Sequence, residues 1–292
     1  MSPGQAILAT LAARRSVAER VVIVAAHPDD ETIGLGAQLC RFEDALLVQV
    51  TDGAPRDGRD AAAYGFATLA NYAAARRAEL MAALRAGEAK HVRTQCLGIV
   101  DQEAMQQLAP LAHRIREVLE QERPRAVITH AYEGGHPDHD AAAFAVRAAC
   151  RLMDEPPALL EMALYHRHDG RLVSGEFLPF ASRRKPGPTN PSAERLKNGS
   201  RLSPGRQVRC VTIALNADEI RRKQQMIDSF ATQRWLLTQL QAKVERLRIA
   251  PNYDFCSPPH PGELHYETLG WGITGTRWRH AAAAALTELR LA

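Results

Sequence analysis

The sequence predicts an α/β fold, a Rossmann-like three-layer sandwich with a mostly parallel sheet. Three observations carry that reading. Short apolar, β-branched runs recur along the chain; stretches of Ala, Leu, Arg and Glu at helical spacing lie between them; and two of the runs end in loops dense in His and Asp. The alternation marks βαβ units, and ligands of such sheets bind beyond the carboxyl ends of the strands.

In chain order, Met1 to Arg20 reads as a surface helix and Val21 to Ala26 as the first buried strand. Thr32 to Phe42 reads as a helix, with Gly34 and Gly36 letting its start pack close to the sheet. Leu46 to Thr51 is the next strand, Phe66 to Ala86 a long helix stopped by Gly87, and Val92 to Leu97 a third strand. Pro110 to Arg123 continues as helix, Arg125 to His130 as strand, Asp140 to Met153 as helix and Leu159 to His166 as strand. The rhythm then breaks: Arg167 to Gly205, rich in Pro, Gly, Ser, Asn and Arg, reads as an insertion loop or lid. A strand follows at Val208 to Ala214, Asn216 caps a helix from Ala217 to about Arg248, and Pro251 to Trp278 looks irregular. The chain is expected to form one domain over 1–292, with its core at about 18–166 and 208–248, a basic insertion at 167–207 and a C-terminal extension at 249–292.

Composition narrows the class. With 292 residues, 46% hydrophobic and 24% charged, the chain has the balance of a globular protein, and no apolar run is long enough to span a bilayer. No cleavage pattern closes the Ala- and Leu-rich start, so a cytoplasmic location is expected. Five scattered cysteines, never paired as C-x-x-C, argue against a disulfide framework and a thiolate metal site. The net charge of +4 comes from one place: Arg167 to Arg209 holds ten Lys or Arg against three Asp or Glu. The remainder is slightly acidic, which argues against nucleic acid as a partner.

Chemistry concentrates in two strand-end loops. The first is His27-Pro28-Asp29-Asp30-Glu31 and the second ends His136-Pro137-Asp138-His139. Catalytic zinc takes three nitrogen or oxygen ligands and keeps one position open. His27 and Asp30, three apart at a helix start, can turn to one point, and His139 can complete the set. Asp29 is then a free carboxylate able to take a proton from activated water. His136 can protonate a leaving amine or hold the oxyanion, and Asp138 can orient a histidine through its other nitrogen. Zinc is the expected ion, although another first-row divalent ion suits the same donors.

These residues give the chain a resemblance to the LmbE-like or PIG-L deacetylase family. Ala26 to Glu31 meets its AHPDDE pattern in full, and His136 to His139 meets its HPDH pattern. The resemblance implies a zinc-dependent N-deacetylase, a hydrolase of a linear amide bond that removes an acyl group, mostly acetyl, from an amino sugar such as an N-acetylglucosamine conjugate. It implies the same three ligands, His27, Asp30 and His139, with Asp29 as general base and His136 as acid or oxyanion partner. It extends more weakly to Thr51-Asp52-Gly53, to Arg76 as a substrate contact, to Asp101 as an acceptor of sugar hydroxyls, and to Tyr132 as a possible stabiliser of the tetrahedral intermediate. His260, His265 and Glu267 are further candidates to line the pocket. The competing readings are a zinc amidase for a larger amide or thiol conjugate, a sugar-binding domain without catalysis, and a nucleotide-binding Rossmann protein. Only Gly34 and Gly36 favour the last. A small amino sugar is the expected partner, and a homo-oligomer is left open.

Overall fold

Period-two alternation in the strands divides the interior into two cores. In the first strand, β1 (Val21–Ala25), Val21, Ile23 and Ala25 point into one apolar cluster and Val22 and Val24 into the other. Each fully buried Val or Ile side chain contributes about 1.5–3 kcal/mol. The computed structural model describes residues 1–179, 210–240 and 243–292. The elements are α1 (Pro3–Ala12), β1, α2 (Asp30–Leu35), β2 (Ala45–Thr51), α3 (Arg59–Ala63), α4 (Leu69–Ala86), β3 (Val92–Ile99), α5 (Leu108–Glu122), β4 (Ala126–His130) and α6 (Pro137–Arg151). They continue with β5 (Ala158–Met162), β6 (Tyr165–His168), β7 (Arg171–Ser174), β8 (Cys210–Ala214), α7 (Ala217–Asp228), α8 (Arg234–Leu237), β9 (Val244–Ile249) and α9 (Gly275–Glu288).

One sheet runs β3-β2-β1-β4-β5-β9-β8, parallel from β3 through β5 and antiparallel at both β5–β9 and β9–β8. Residues of α1, α4 and α7 fill the core on one face; those of α5, α6 and α9 fill the other. The expected α/β three-layer, mostly parallel architecture is therefore present. Chain order reverses between β1 and β4, so the two His-Asp loops emerge side by side at the switch point of the sheet, where a crevice forms.

The differences from the expected elements have physical causes. The N-terminal helix is not a surface element: Ile7, Leu8 and Leu11 are buried, and a side chain at Gly4 would come within 2.8 Å of Ile249 and 3.0 Å of Leu160. Helix α2 begins inside the first motif, at Asp30, and lasts only to Leu35. Gly34 does allow close packing, since a Cβ there would meet the Met162 sulfur of β5 at 2.6 Å. Helix α6 likewise starts at Pro137, within the second motif, because His136 caps it through Nδ1 and proline favours the first turn. The strand expected over Leu159 to His166 is two strands, and the second, β6, forms a hairpin with β7 where a loop was expected. The rest of the basic insertion, 180–209, lies outside the described residues.

The largest correction concerns the helix expected from Ala217 to Arg248. It ends at Asp228, and Val244–Ile249 is strand β9, inserted between β5 and β8. Apolar spacing there suits a helix or a strand; the open edge of β5 decides. Buried Glu245 of β9 accepts from Lys223 Nζ at 2.8 Å and from the Ala37 amide at 2.9 Å, tying α7 to the chain after α2. The C-terminal extension is no peripheral tail. Trp278, expected in irregular chain, lies in α9, is fully buried and donates from Nε1 to the carbonyl of Pro137 at 3.1 Å. Among the described residues no helix is long and apolar enough to cross a membrane.

Candidate active site

Buried strands force the chain to turn sharply once β1 ends, and the turn is strained. Asp29 sits at φ 139°, ψ −28°, outside the regions an L-residue normally occupies. Such conformations cost about 1–3 kcal/mol and cluster at functional sites. The strain directs Asp29 toward α4, where Arg76 Nη2 lies 3.1 Å from its Oδ2 and 2.9 Å from the Pro28 carbonyl, while Nη1 donates to the Gly53 carbonyl at 3.0 Å. Burial pushes the Asp29 carboxyl well above the usual carboxylate range; Arg76 is the group that opposes this most.

Asp30 stands between two histidines. Its Oδ2 is 3.2 Å from His27 Nδ1 and its Oδ1 is 3.1 Å from His139 Nε2. All three side chains are buried, and His139 Nε2 has no hydrogen-bond partner. Burial disfavours its charge, but His139 and His130 hold the Asp30 carboxyl well below its ordinary value. The other nitrogen of His27, Nε2, faces Asp101 Oδ1 at 3.1 Å and Asp138 Oδ2 at 3.3 Å. Despite burial, these carboxylates drive His27 well above the ordinary histidine value. Asp138 is itself fixed by the amides of Gln102 at 2.6 Å and Ala104 at 3.1 Å, so the histidine it orients is His27.

This donor set suits a divalent cation. A ring nitrogen facing each oxygen of one buried carboxylate leaves lone pair against lone pair unless a proton or cation intervenes, and a cation would also satisfy His139 Nε2, which has no hydrogen-bond partner among the described residues. Nitrogens of His27, His136 and His139 also lie within 4.8 Å of one another. His130, whose importance the sequence did not disclose, stacks on His139 with centroids 4.2 Å apart. Its Nε2 accepts the Ala26 amide at 2.8 Å, so that lone pair is spent and its part is to support the ring of His139.

His136 Nδ1 accepts the Asp138 amide at 3.2 Å, which places the ring proton on Nε2. Burial keeps His136 well below the ordinary histidine value, hence neutral, with Nε2–H turned to the site. Asp101 Oδ1, 3.9 Å from that nitrogen and lacking a hydrogen-bond partner, lies on the same floor. Burial works against its charge, yet His27 and His136 hold Asp101 below the usual range.

Above this floor opens a cavity of about 300 Å³, bordered by Asp29, Arg76, Asp101, His136, Tyr165 and His265 among others. Arg76, expected to touch substrate, also borders it, but its guanidinium donates to Asp29 and to the carbonyls of Pro28 and Gly53. Tyr132 does not belong to the cavity. Its hydroxyl donates to the Ser257 carbonyl at 3.0 Å and its ring packs with Tyr253, Phe255 and Trp278 in the core on the far face. The tyrosine beside the histidines is Tyr165, at the start of β6, with its ring centroid 5.1 Å from that of His139. A tyrosine immediately after a strand was the available signal, obscured by reading β5 and β6 as one. His265 borders the cavity, whereas Glu267 caps a turn by accepting from the Leu264 and Gly275 amides, and His260 is absent from the cavity wall.

Fold and floor together define an α/β protein with a histidine–aspartate metal-type site at the switch point of its sheet. Residues 22–150, which carry both motifs, match the PIG-L family model, described as GlcNAc-PI de-N-acetylase. Solved structures of similar fold include the A40926 pseudoaglycone deacetylase (18% identity, TM-score 0.55, 82% of this chain and 99% of that one). A deacetylase–teicoplanin complex (19%, 0.55, 80% and 100%) and a zinc-inhibited teicoplanin deacetylase (18%, 0.52, 78% and 97%) also align. At these identities the likeness is one of fold. No protein with a curated description matches the chain.

Proposed function

We propose that the protein is a metal-dependent hydrolase that removes an N-acyl group, acetyl in the simplest case, from an amino sugar such as an N-acetylglucosamine conjugate. The reading is carried by the Asp30 carboxylate, with one oxygen 3.2 Å from His27 Nδ1 and the other 3.1 Å from an unpartnered His139 Nε2, beside the strained Asp29. The match to the PIG-L family model over 22–150 and the deacetylases of like fold support the same chemistry.

His27, Asp30 and His139 would hold the ion, and zinc suits two imidazoles and a carboxylate. Such an ion polarises an amide carbonyl and raises the acidity of water next to it. Asp29 is positioned to take the proton of the attacking water, and the Arg76 contact keeps its carboxylate aimed at the floor while favouring the ionised form. His136 Nε2–H donates to the oxygen that becomes anionic as the carbonyl carbon turns tetrahedral. When the C–N bond breaks, the proton held by Asp29 passes to the departing nitrogen, and the carboxylic acid formed releases the water's second proton to solvent, so amide and water become amine, carboxylate and a proton. Asp138 holds the His27 ring in one orientation throughout. Asp101 is suited to accept a sugar hydroxyl.

The test is acetate release from a panel of N-acetylglucosamine conjugates by the purified protein as isolated, after chelation and after zinc is restored. Release should vanish with chelation and return with zinc. A protein that holds one ion per chain yet cleaves none of the panel would sink the acetyl-sugar reading.

A further inference from the structure

A second cavity, of about 460 Å³, lies between α6, α9 and the chain from Tyr253 to Cys256, and it shares no residue with the active-site cavity. Its volume is in the range of small-molecule sites. The wall is apolar over Phe144, Tyr253, Phe255, Leu286 and Leu291. Two guanidinium groups interrupt it, those of Arg147 and Arg151, which lie one helical turn apart on the same side of α6. Neither forms an ion pair among the described residues. Arg147 is half-buried, stands 5.6 Å from the centre of the Tyr253 ring, and donates only to neutral acceptors, the Pro251 carbonyl and Asn252 Oδ1, the latter at 3.3 Å. Those two bonds leave most of its N–H donors without a partner. Nearby acids are already engaged: Glu161 accepts from Arg248 Nε at 2.8 Å, and Asp254, in the cavity wall, accepts from the Cys256 amide at 3.1 Å and Ser257 Oγ at 2.6 Å. Burial pushes Arg147 below the ordinary arginine value. A cation held in a poorly solvated wall without a counter-ion gains from any anion that reaches it.

We propose that this cavity is a binding site for a small aromatic carboxylate, whose anionic end pairs with Arg147 and Arg151 while its ring lies among Phe144, Phe255 and Leu286. The occupant follows from the wall: an inorganic anion would leave the apolar side chains bare, and a neutral ring would leave the guanidiniums bare. The site stands apart from the hydrolase reading of the floor. At 1.5 Å per residue, Arg147 is about 12 Å along α6 from His139. The ligand bridges α6 to α9, and Trp278 of α9 holds the first turn of α6 through the Pro137 carbonyl. Its binding therefore reinforces the frame that carries His136 and His139, and thermal stability rises as the site fills.

The experiment titrates the purified full chain calorimetrically with 3-phenylpropionate, with 3-phenylpropanamide and propionate as controls. Saturable binding at one site per chain is expected, with Kd on the order of 0.1–1 mM for a ligand of this size. The amide, which lacks the charge, and propionate, which lacks the ring, should each bind about tenfold more weakly or worse. Arg147→Met should weaken 3-phenylpropionate about tenfold. Ala283→Phe, which puts a ring into the cavity from α9 and leaves both arginines in place, should abolish its binding and the rise in Tm that the ligand gives the wild type. The second variant keeps the test decisive if the first fails to fold. Absence of saturable binding, an amide that binds as tightly as the acid, or binding that survives Ala283→Phe overturns the proposal, the last because the carboxylate then lies elsewhere, such as at the histidine–aspartate floor. A chain that sediments as a dimer and becomes a monomer in Ala283→Phe would give the cavity to a second copy and overturn it as well.

Discussion

The two His-Asp loops leave neighbouring strands and meet at one floor, yet they are held by different means. The loop after β1 is strained at Asp29 and depends on a residue 47 positions away, Arg76, whose guanidinium spans Asp29 and the carbonyls of Pro28 and Gly53. The loop after β4 is held by several of its own groups, with Gln102, Ala104, Leu178 and His265 donating to it from outside. Gly134 takes φ 70° without strain, Asp140 Oδ1 accepts the amides of Glu133 and Gly134, and His136 caps the helix that carries His139. A strained loop clamped from outside can present a carboxylate whose proton affinity is tuned; a self-capped loop presents rings in fixed orientation. The first loop carries the proposed base beside two of the proposed ligands, His27 and Asp30, and the second carries the third, His139, with the proposed oxyanion partner His136.

The comparison breaks first at Asp29. Replacing it by Asn keeps size and loses the base, so kcat should fall about 10²- to 10⁴-fold while one zinc per chain is retained. Turnover near wild type with full metal content would take Asp29 out of proton transfer. Arg76→Met tests the outside clamp: it leaves Asp29 buried without its cation, and unfolding in urea should show a loss of about 3–5 kcal/mol. Because Arg76 lowers the Asp29 carboxyl, its removal raises that group further, and the base works only when ionised. The acid limb of kcat/KM against pH should therefore move to higher pH; an unmoved limb would mean that Arg76 has no hold on the base.

Asp140→Ala probes the second loop. It strands two buried amides, for about 1–3 kcal/mol in urea, without moving that acid limb. A shift of the limb in this variant would erase the distinction between the loops. The smallest effect belongs to Tyr132→Phe, which removes one hydrogen bond to Ser257 on the far face. Stability should drop by about 1 kcal/mol with kcat within twofold. A large loss of kcat would return Tyr132 to the chemistry and contradict its burial in the aromatic core.

How far the molecule was legible from its residues follows from the range of the forces involved. Strands β1, β2 and β4 were legible because burial on both faces imposes uninterrupted apolar runs. So were the cap at Asn216 and the stop at Gly87, which act over one turn. The two motifs were legible because donor spacing within each loop is local, and their convergence followed from being adjacent to strands in one sheet. By contrast, β9 was read as helix because Val244 and Leu247 are spaced as on a helix, while Leu247 and Ile249 share one face of a strand, and only the open edge of β5 selects the strand. Tyr132 was assigned to the chemistry because nothing in its own segment shows that its ring packs with Tyr253, Phe255 and Trp278, more than a hundred residues along the chain. The supports given to Asp29 by Arg76 and to His139 by His130 depend on contacts between residues far apart in the chain. By itself the sequence determined the layered fold and the two loops whose histidines and carboxylates meet at the floor, since periodicity and motif spacing operate within a few residues. Tertiary structure alone decided which side chains support that floor and which surround its entrance, because those contacts exist only once the strands take their order in the sheet.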